Sequence, residues 1–295
     1  NKGSYGGAIY NWAVGLEVHN STFVNNSASD KGGAIYISYG NTALAPSFVG
    51  SNLVFVANSA KLGDAIFTEA SNVNVSNSAF INHEDAVYRS TTPDRGTIDL
   101  NSNWWGTNNS GWDKTLVNIA APKVYAVLDV TANKVSAKSY DVIANMYWNG
   151  TAANAVIPVR NISFTSGSQI INGTIADKPV KNNYQFDNPG KYIVNVKVDN
   201  ESKDVEIIIN DLSNSIYVNS TGGDDSNNGK SWNNAVKTIN KALSLVDDNG
   251  IIYIANGNYI SSSTVLFNKN VAIIGQNQSV LDANKKVLFN VANGY

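Results

Sequence analysis

The chain has 295 residues, 43% of them hydrophobic, with 21 Lys plus Arg against 23 Asp plus Glu and no cysteine. A net charge of −2 gives no basic field for a nucleic acid, and the missing thiols exclude disulfides, metal thiolates and cysteine nucleophiles. No run of about 18 apolar residues occurs, so the sequence holds no helical membrane span. Charged residues are only 15% of the chain, and polarity comes instead from Gly, Ser, Thr and 45 Asn. The hydrophobic share is ample for packed cores, and the length suits two or three domains. The chain opens at Asn1, and patterned sequence runs up to both termini, as expected of a piece of a longer protein.

Residues 1–121 repeat. Gly6-Gly-Ala-Ile-Tyr10 returns as Gly32-Gly-Ala-Ile-Tyr36, as Gly63-Asp-Ala-Ile-Phe67 and, more weakly, as Asp85-Ala-Val-Tyr88. Between these copies stand Phe23-Val-Asn-Asn26, Phe55-Val-Ala-Asn58 and Phe80-Ile-Asn-His83. Alignment on the aromatic gives a column Phe23, Phe55, Phe80, Trp105, spaced by 32, 25 and 25 residues. Three residues upstream runs a second column, Asn20, Asn52, Asn77 and Ser102. Apolar pairs two apart precede it: Leu16/Val18, Val73/Val75, Ile98/Leu100 and, more loosely, Phe48 and Gly50. A period near 25 residues with alternating apolar positions and Gly turns predicts one coil of a parallel β-helix per repeat. Coils rise by about 4.8 Å, so like residues stack, and Asn20, Asn52 and Asn77 are expected to form a buried amide ladder. The longer second coil places a loop at 38–46.

Residues 122–211 alternate without a repeat. Strands are expected at 124–130, 140–144, 156–162, 169–171, 192–198 and 204–209. Turn signals stand between them at Asn149-Gly, Ser166-Gly, Asn172-Gly and Asn188-Pro-Gly190. Six or seven short strands in about 90 residues argue for an immunoglobulin-like sandwich, in which Tyr192 is either a tyrosine-corner residue or core. Residues 212–295 open with a strand at 215–219 and a polar loop, Gly222–Lys230. A helix over 233–247 follows, marked by Val236, Ile239, Leu243 and Val246 and stopped by Gly250. It is expected to cap new apolar strands at 251–254, 271–274 and 287–291, with Trp232 beneath it.

Three resemblances follow from these motifs. Gly-Gly-Ala-Ile paired with Phe-x-x-Asn over residues 6–90 resembles the repeats of polymorphic outer-membrane proteins, departing from them at Asp64 and His83. Asn103-Trp-Trp-Gly106 is similar to the terminal coil of β-helices in adhesin-like proteins of methanogenic archaea. Ser231-Trp232, the helix and the strand ending in Asn256-Gly-Asn-Tyr259 resemble the opening of pectate-lyase-like β-helices. The order of modules resembles the archaeal adhesin-like family. That resemblance implies an all-β chain: a right-handed parallel β-helix over 1–121, an Ig-like β-sandwich over 122–211, and the cap and first coils of a second parallel β-helix over 212–295. It also implies a non-catalytic, extracellular, cell-surface protein whose partner is a glycan or protein of another cell or of the envelope. The alternative is a polysaccharide lyase or hydrolase of the β-helix type.

Candidate chemistry is sparse. Of the two histidines, His19 is expected outward and solvated, and His83 stands in a loop beside Glu84 and Asp85. The resemblance to lyases of the β-helix type implies a Ca²⁺-bound carboxylate cluster with a basic residue on one face; Arg95 with Asp94 and Asp99 can be cast in that role, but the full acidic cluster is absent. Asp224 and Asp225 supply two carboxylates for Ca²⁺ in a flexible loop, fewer than a built site has. Tyr10, Tyr36, Phe67 and Tyr88 form an aromatic column that holds sugar rings if outward and is core if inward; parity fixes only that Ile9 opposes Tyr10. Sequons stand at Asn20, Asn25, Asn74, Asn108, Asn149, Asn161, Asn172, Asn200, Asn219 and Asn277. Asn20 is expected to stay unmodified within its ladder, and the loop positions Asn108 and Asn149 to be the better glycan acceptors.

Overall fold

The computed structural model describes residues 1–295 except 13, 40–46, 70, 92–95, 110, 212, 261–263, 277, 283–288 and 292–295. It is an all-β molecule dominated by parallel sheets. The chain divides into two compact units. The first comprises Asn1–Asn133, Asp141–Asn182 and Ile193–Val205; the second comprises Lys134–Tyr140, Asn183–Tyr192 and Glu206–Tyr295.

In the first unit the first three repeats each supply one strand to each of three parallel sheets, and a further parallel pair joins Lys2–Tyr5 to Ser27–Lys31. One sheet joins Leu16–His19, Ser47–Ser51, Asn72–Ser76 and Ile98–Asp99. Its register sets Leu16 on Phe48, Phe48 on Val73 and Val73 on Ile98, as the aligned columns require. The second joins Thr22–Val24, Val54–Val56 and Ala79–Ile81, and the third runs from Ile9–Trp12 through Ile35–Ser38, Ile66–Thr68 and Val87–Arg89 to Leu116–Val117. The apolar columns of all three sheets meet in one core. Ile35, Ile66 and Val87 come from one side, Phe48, Val73 and Val75 from another, and Phe23, Phe55, Phe80 and Trp105 from the third. The four rings stack at 5.1, 4.8 and 4.5 Å. Each fully buried large side chain contributes about 1.5–3 kcal/mol. Coil closeness explains the Gly pairs. A Cβ on Gly7 would lie 2.1 Å from the Gly33 carbonyl, and one on Gly33 would lie 2.1 Å from that of Asp64.

The middle of the chain forms antiparallel hairpins rather than coils. We label its strands β1 (Ala126–Ser136), β2 (Ser139–Trp148), β3 (Arg160–Ser166), β4 (Gln169–Ile175), β5 (Val180–Gln185), β6 (Gly190–Val198) and β7 (Glu201–Ile209). Two sheets result, in the orders β1-β2-β5 and β4-β3-β6-β7. Two expectations are corrected here. Asn172-Gly173 is no turn, because the hairpin turns at Gly167-Ser168 and β4 runs on to Ile175, pairing as far as Arg160↔Ile175. A strand at 180–185 was also missed, because Lys181, Asn182 and Asn183 hide its alternation. Tyr192 stacks on Phe186 at 4.3 Å and donates from its hydroxyl to the Asn188 carbonyl at 2.9 Å.

Within the first unit, the β6–β7 turn docks on the end of the repeats. The Asn200 N–H donates to the Gly106 carbonyl, and its side-chain amide donates to Asn82 Oδ1. Asp199 accepts from Arg160 Nε at 2.9 Å, Arg160 Nη2 at 2.6 Å and the Trp104 indole at 2.8 Å. Glu201 Oε2 accepts from Thr107 Oγ1 and the Asn108 N–H.

In the second unit Ser215–Val218, Gly250–Ile254 and Val271–Gly275 pair in parallel, as do Gly257–Ile260 with Ser279–Asp282 and Val265–Phe267 with Phe289–Val291. The helix is shorter than its pattern, Ile239–Leu245, preceded by a 3₁₀ turn at Trp232–Asn234. Ile239, Ala242 and Val246 pack against Ile216 and Val218. Trp232 is not beneath the helix: it is 39% exposed and meets Tyr217 edge-on at 4.8 Å.

Candidate functional site

The aromatic column points outward. Ile35, Ile66 and Val87 belong to the core, and alternation places Tyr10, Tyr36, Phe67 and Tyr88 on the opposite side of the same sheet. Successive rings stack at 5.1, 5.5 and 5.2 Å. Outward does not mean open, however. Tyr36 and Phe67 are buried, whereas Tyr10 is 46% exposed. The cover is a polar strap. Lys31 Nζ lies 4.8 Å from the Phe67 ring centre, 6.0 Å from that of Tyr5, and 3.8 Å from Glu69 Oε1. Glu69 Oε1 accepts from the Tyr36 hydroxyl at 2.7 Å. Burial, and then the adjoining Glu69 carboxylate, push the Tyr36 hydroxyl well above the usual tyrosine range. Tyr36 and Phe67 are therefore corrected: they support the surface and do not present it. The presented rings are Tyr5, Tyr10 and Trp12, exposed at 43, 46 and 60%. Tyr5 touches Tyr36 at 5.2 Å and Trp12 stacks on Tyr10 at 6.1 Å. A hydrogen bond to Asp30, and that carboxylate's charge, raise the Tyr5 pKa. Trp12 was legible in principle, since it stands two residues beyond Tyr10 on one strand; Tyr5 had no such signal.

The buried amide ladder exists in a different column from the one expected. Asn20 and Asn52 are exposed and Asn77 half-buried. With Ser102 they turn the corners between two sheets at φ 50, 51, 49 and 60°, where asparagine is the best-tolerated residue after glycine. Asn52 does donate to Asn20 Oδ1 at 2.7 Å, but in solvent. The buried rungs are Asn26 and Asn58. Asn58 Oδ1 accepts from the Asn26 N–H and side-chain amide, and its own amide donates to the Phe23 carbonyl. The next rung is His83, whose Nε2 accepts from the Asn58 N–H at 3.3 Å. Burial lowers the His83 pKa to about 4, against a smaller upward pull from Asp64.

The carboxylates serve the backbone. Asp64 accepts from the N–H groups of Ala60 and Glu84, and Asp85 from that of Gly63. Burial raises the Asp85 pKa. Asp99 Oδ1 accepts from the Asn101 N–H and side-chain amide; Asp94 and Arg95 lie outside the described residues. His19 is exposed, with Nδ1 2.7 Å from Ser51 Oγ. The Asp224–Asp225 loop is built as a cap. Asp225 accepts from the N–H groups of Lys237 and Thr238 and from the Thr238 hydroxyl, and Asp224 from the Ser226 N–H. Among the described residues no group of three His, Cys, Asp or Glu is placed to hold a metal.

The side-chain amides of the two loop sequons carry hydrogen bonds to the backbone. Asn108 is bonded twice to the Leu128 backbone, donating at 2.8 Å and accepting at 2.7 Å. Asn149 donates to the Lys123 carbonyl and accepts from the Tyr125 N–H. Searches against protein-family models, curated proteins and solved structures return no match to this chain.

Proposed function

We propose that the chain is part of a non-catalytic, adhesin-like protein displayed on the outside of a cell. Its parts are read as a right-handed parallel β-helix over 1–121, an Ig-like spacer over 122–211 and the capped start of a second parallel β-helix over 212–295. Strands recurring with the repeats in three parallel sheets support the first part, and the antiparallel hairpins with the Tyr192 back-bond support the second. The observation that carries the functional reading is the exposed cluster of Tyr5, Tyr10 and Trp12. Rings with one open face stack on the apolar face of a sugar, and Asp30 adjoins them with a hydrogen-bonding carboxylate. The flat face of a stacked-coil protein suits a surface glycan better than a buried reactive centre.

A glycan array with the purified chain tests this, repeated with Tyr10→Ala/Trp12→Ala. Binding to a defined set of glycans is expected, weakened about tenfold or more in the double variant. Failure to bind any glycan, or equal binding by the variant, would sink the reading of this surface.

A further inference from the structure

The two antiparallel sheets expose four edge strands, and an unpaired edge offers free backbone donors and acceptors to any other strand. Three of the four are guarded by charge. β1 carries Asp129 and Lys134, β5 carries Lys181, and β7 carries Glu201, Lys203, Asp204 and Glu206. The fourth, β4, reads Gln169-Ile-Ile-Asn-Gly-Thr-Ile175, with no charge and no proline. Its pairing with β3 runs without a break from Ser166↔Gln169 to Arg160↔Ile175, so no bulge turns the edge away. Gln169, Ile170, Asn172, Gly173 and Thr174 are exposed, Ile170 at 61%. All the usual protections of an edge are missing from this one strand.

We propose that β4 is an association edge whose partner is β4 of a second copy of this chain, paired antiparallel across a two-fold axis. The strand is complementary to itself. Centred on Asn172, the pairing sets Asn172 opposite Asn172, Ile171 opposite Gly173, Ile170 opposite Thr174 and Gln169 opposite Ile175. No like charges meet, the β-branched Ile170 and Thr174 form a favourable cross-strand pair, and Gly173 leaves room for Ile171. A charged edge such as β7 would meet its own copy at a cost. A single strand is a small interface, below the roughly 1,200 Å² of stable complexes, so the dimer is weak in dilute solution. It strengthens where many copies share one surface and the effective concentration is high. The pairing does not depend on the sugar-binding reading. Asn172 also opens the sequon Asn172-Gly-Thr174, and a glycan there would close the edge to a second chain.

The test compares wild type with Ile170→Lys/Thr174→Lys by sedimentation equilibrium over a wide concentration range. Both side chains are exposed, so the variant should unfold at the same temperature as wild type. Expected is a concentration-dependent dimer for wild type and a monomer throughout for the variant. The chain has no cysteine, so one introduced thiol reports on its own. Oxidised Asn172→Cys should give a cross-linked dimer, while Ser202→Cys on the charged β7 edge should not. A monomeric wild type at the highest concentration, an equally dimeric lysine variant, or equal cross-linking from both cysteines would overturn the proposal. So would a glycan at Asn172 of the protein from its native source.

Discussion

His83 is the one ionisable side chain built into a hydrogen-bonded column that otherwise uses amides. Its Nε2 is an acceptor for the Asn58 N–H, and that requires the neutral ring. The folded pKa of about 4 lies below the ordinary value of 6.5, so the unfolded chain takes up the proton first. This contribution is therefore intact above pH 6.5 and declines as the pH falls from 6.5 towards 4. Restoring the amide with His83→Asn removes the decline. Denaturant unfolding at pH 7 and pH 4.5 should show wild type losing more stability than the variant, and equal losses would show that the ring is not held neutral. The residue was visible in the sequence as a departure from Phe-x-x-Asn. Its burial was not, because a loop beside Glu84 and Asp85 reads as solvated until the Asp64 and Asp85 carboxylates are seen to turn towards backbone N–H groups.

The columns were legible at the level of the element because stacked coils demand like residues at like heights. Which column is interior was not legible. Asn20-x-x-Phe23 and Phe23-x-x-Asn26 both present asparagine three residues from a buried ring, and only the corner geometry separates them. Asn77 turns a corner at φ 49°, whereas Asn58 is 2% exposed and bridges two coils. Asn58→Ala should leave the Asn26 amide and the Phe23 carbonyl unpaired, at about 1–3 kcal/mol for each buried group. Asn77→Gly should be nearly neutral, since glycine takes the left-handed region freely. Thermal unfolding of the two variants checks this, and equal losses would refute the assignment of the buried rungs. The strands of residues 126–209 were legible in kind but shifted by several residues. Alternation marks a strand's interior, while its ends are set by partners; β4 passes through Asn172-Gly173 because β3 is long enough to pair with it.

At the scale of the whole molecule, the change from repeats to hairpins near Pro122 was plain in the sequence, but the polar joint after the repeats was not. Its residues, Trp104, Arg160 and Asp199, lie up to 95 positions apart. The Arg160 and Asp199 side chains are only 14 and 9% exposed, so each depends on the other for compensation. Asp199→Ala should strand the guanidinium and the Trp104 indole, at about 3–5 kcal/mol, with lost exchange protection of the indole N–H as a local readout. A smaller loss shared evenly with an exposed pair such as Lys191–Glu206 would refute that role. The ladders also bear on chemical ageing. Asparagine decays when the N–H of the following residue loses its proton and attacks the side-chain amide. At three corners of this asparagine-rich chain that nitrogen is already engaged. Asn26 N–H, after Asn25, is bound to Asn58 Oδ1; Leu53 N–H, after Asn52, to Ser78 Oγ; and Ser78 N–H, after Asn77, to Asn103 Oδ1. Ring closure at those corners must first break a bond between coils, so the contacts that hold the stack together also slow the decay of these three asparagines.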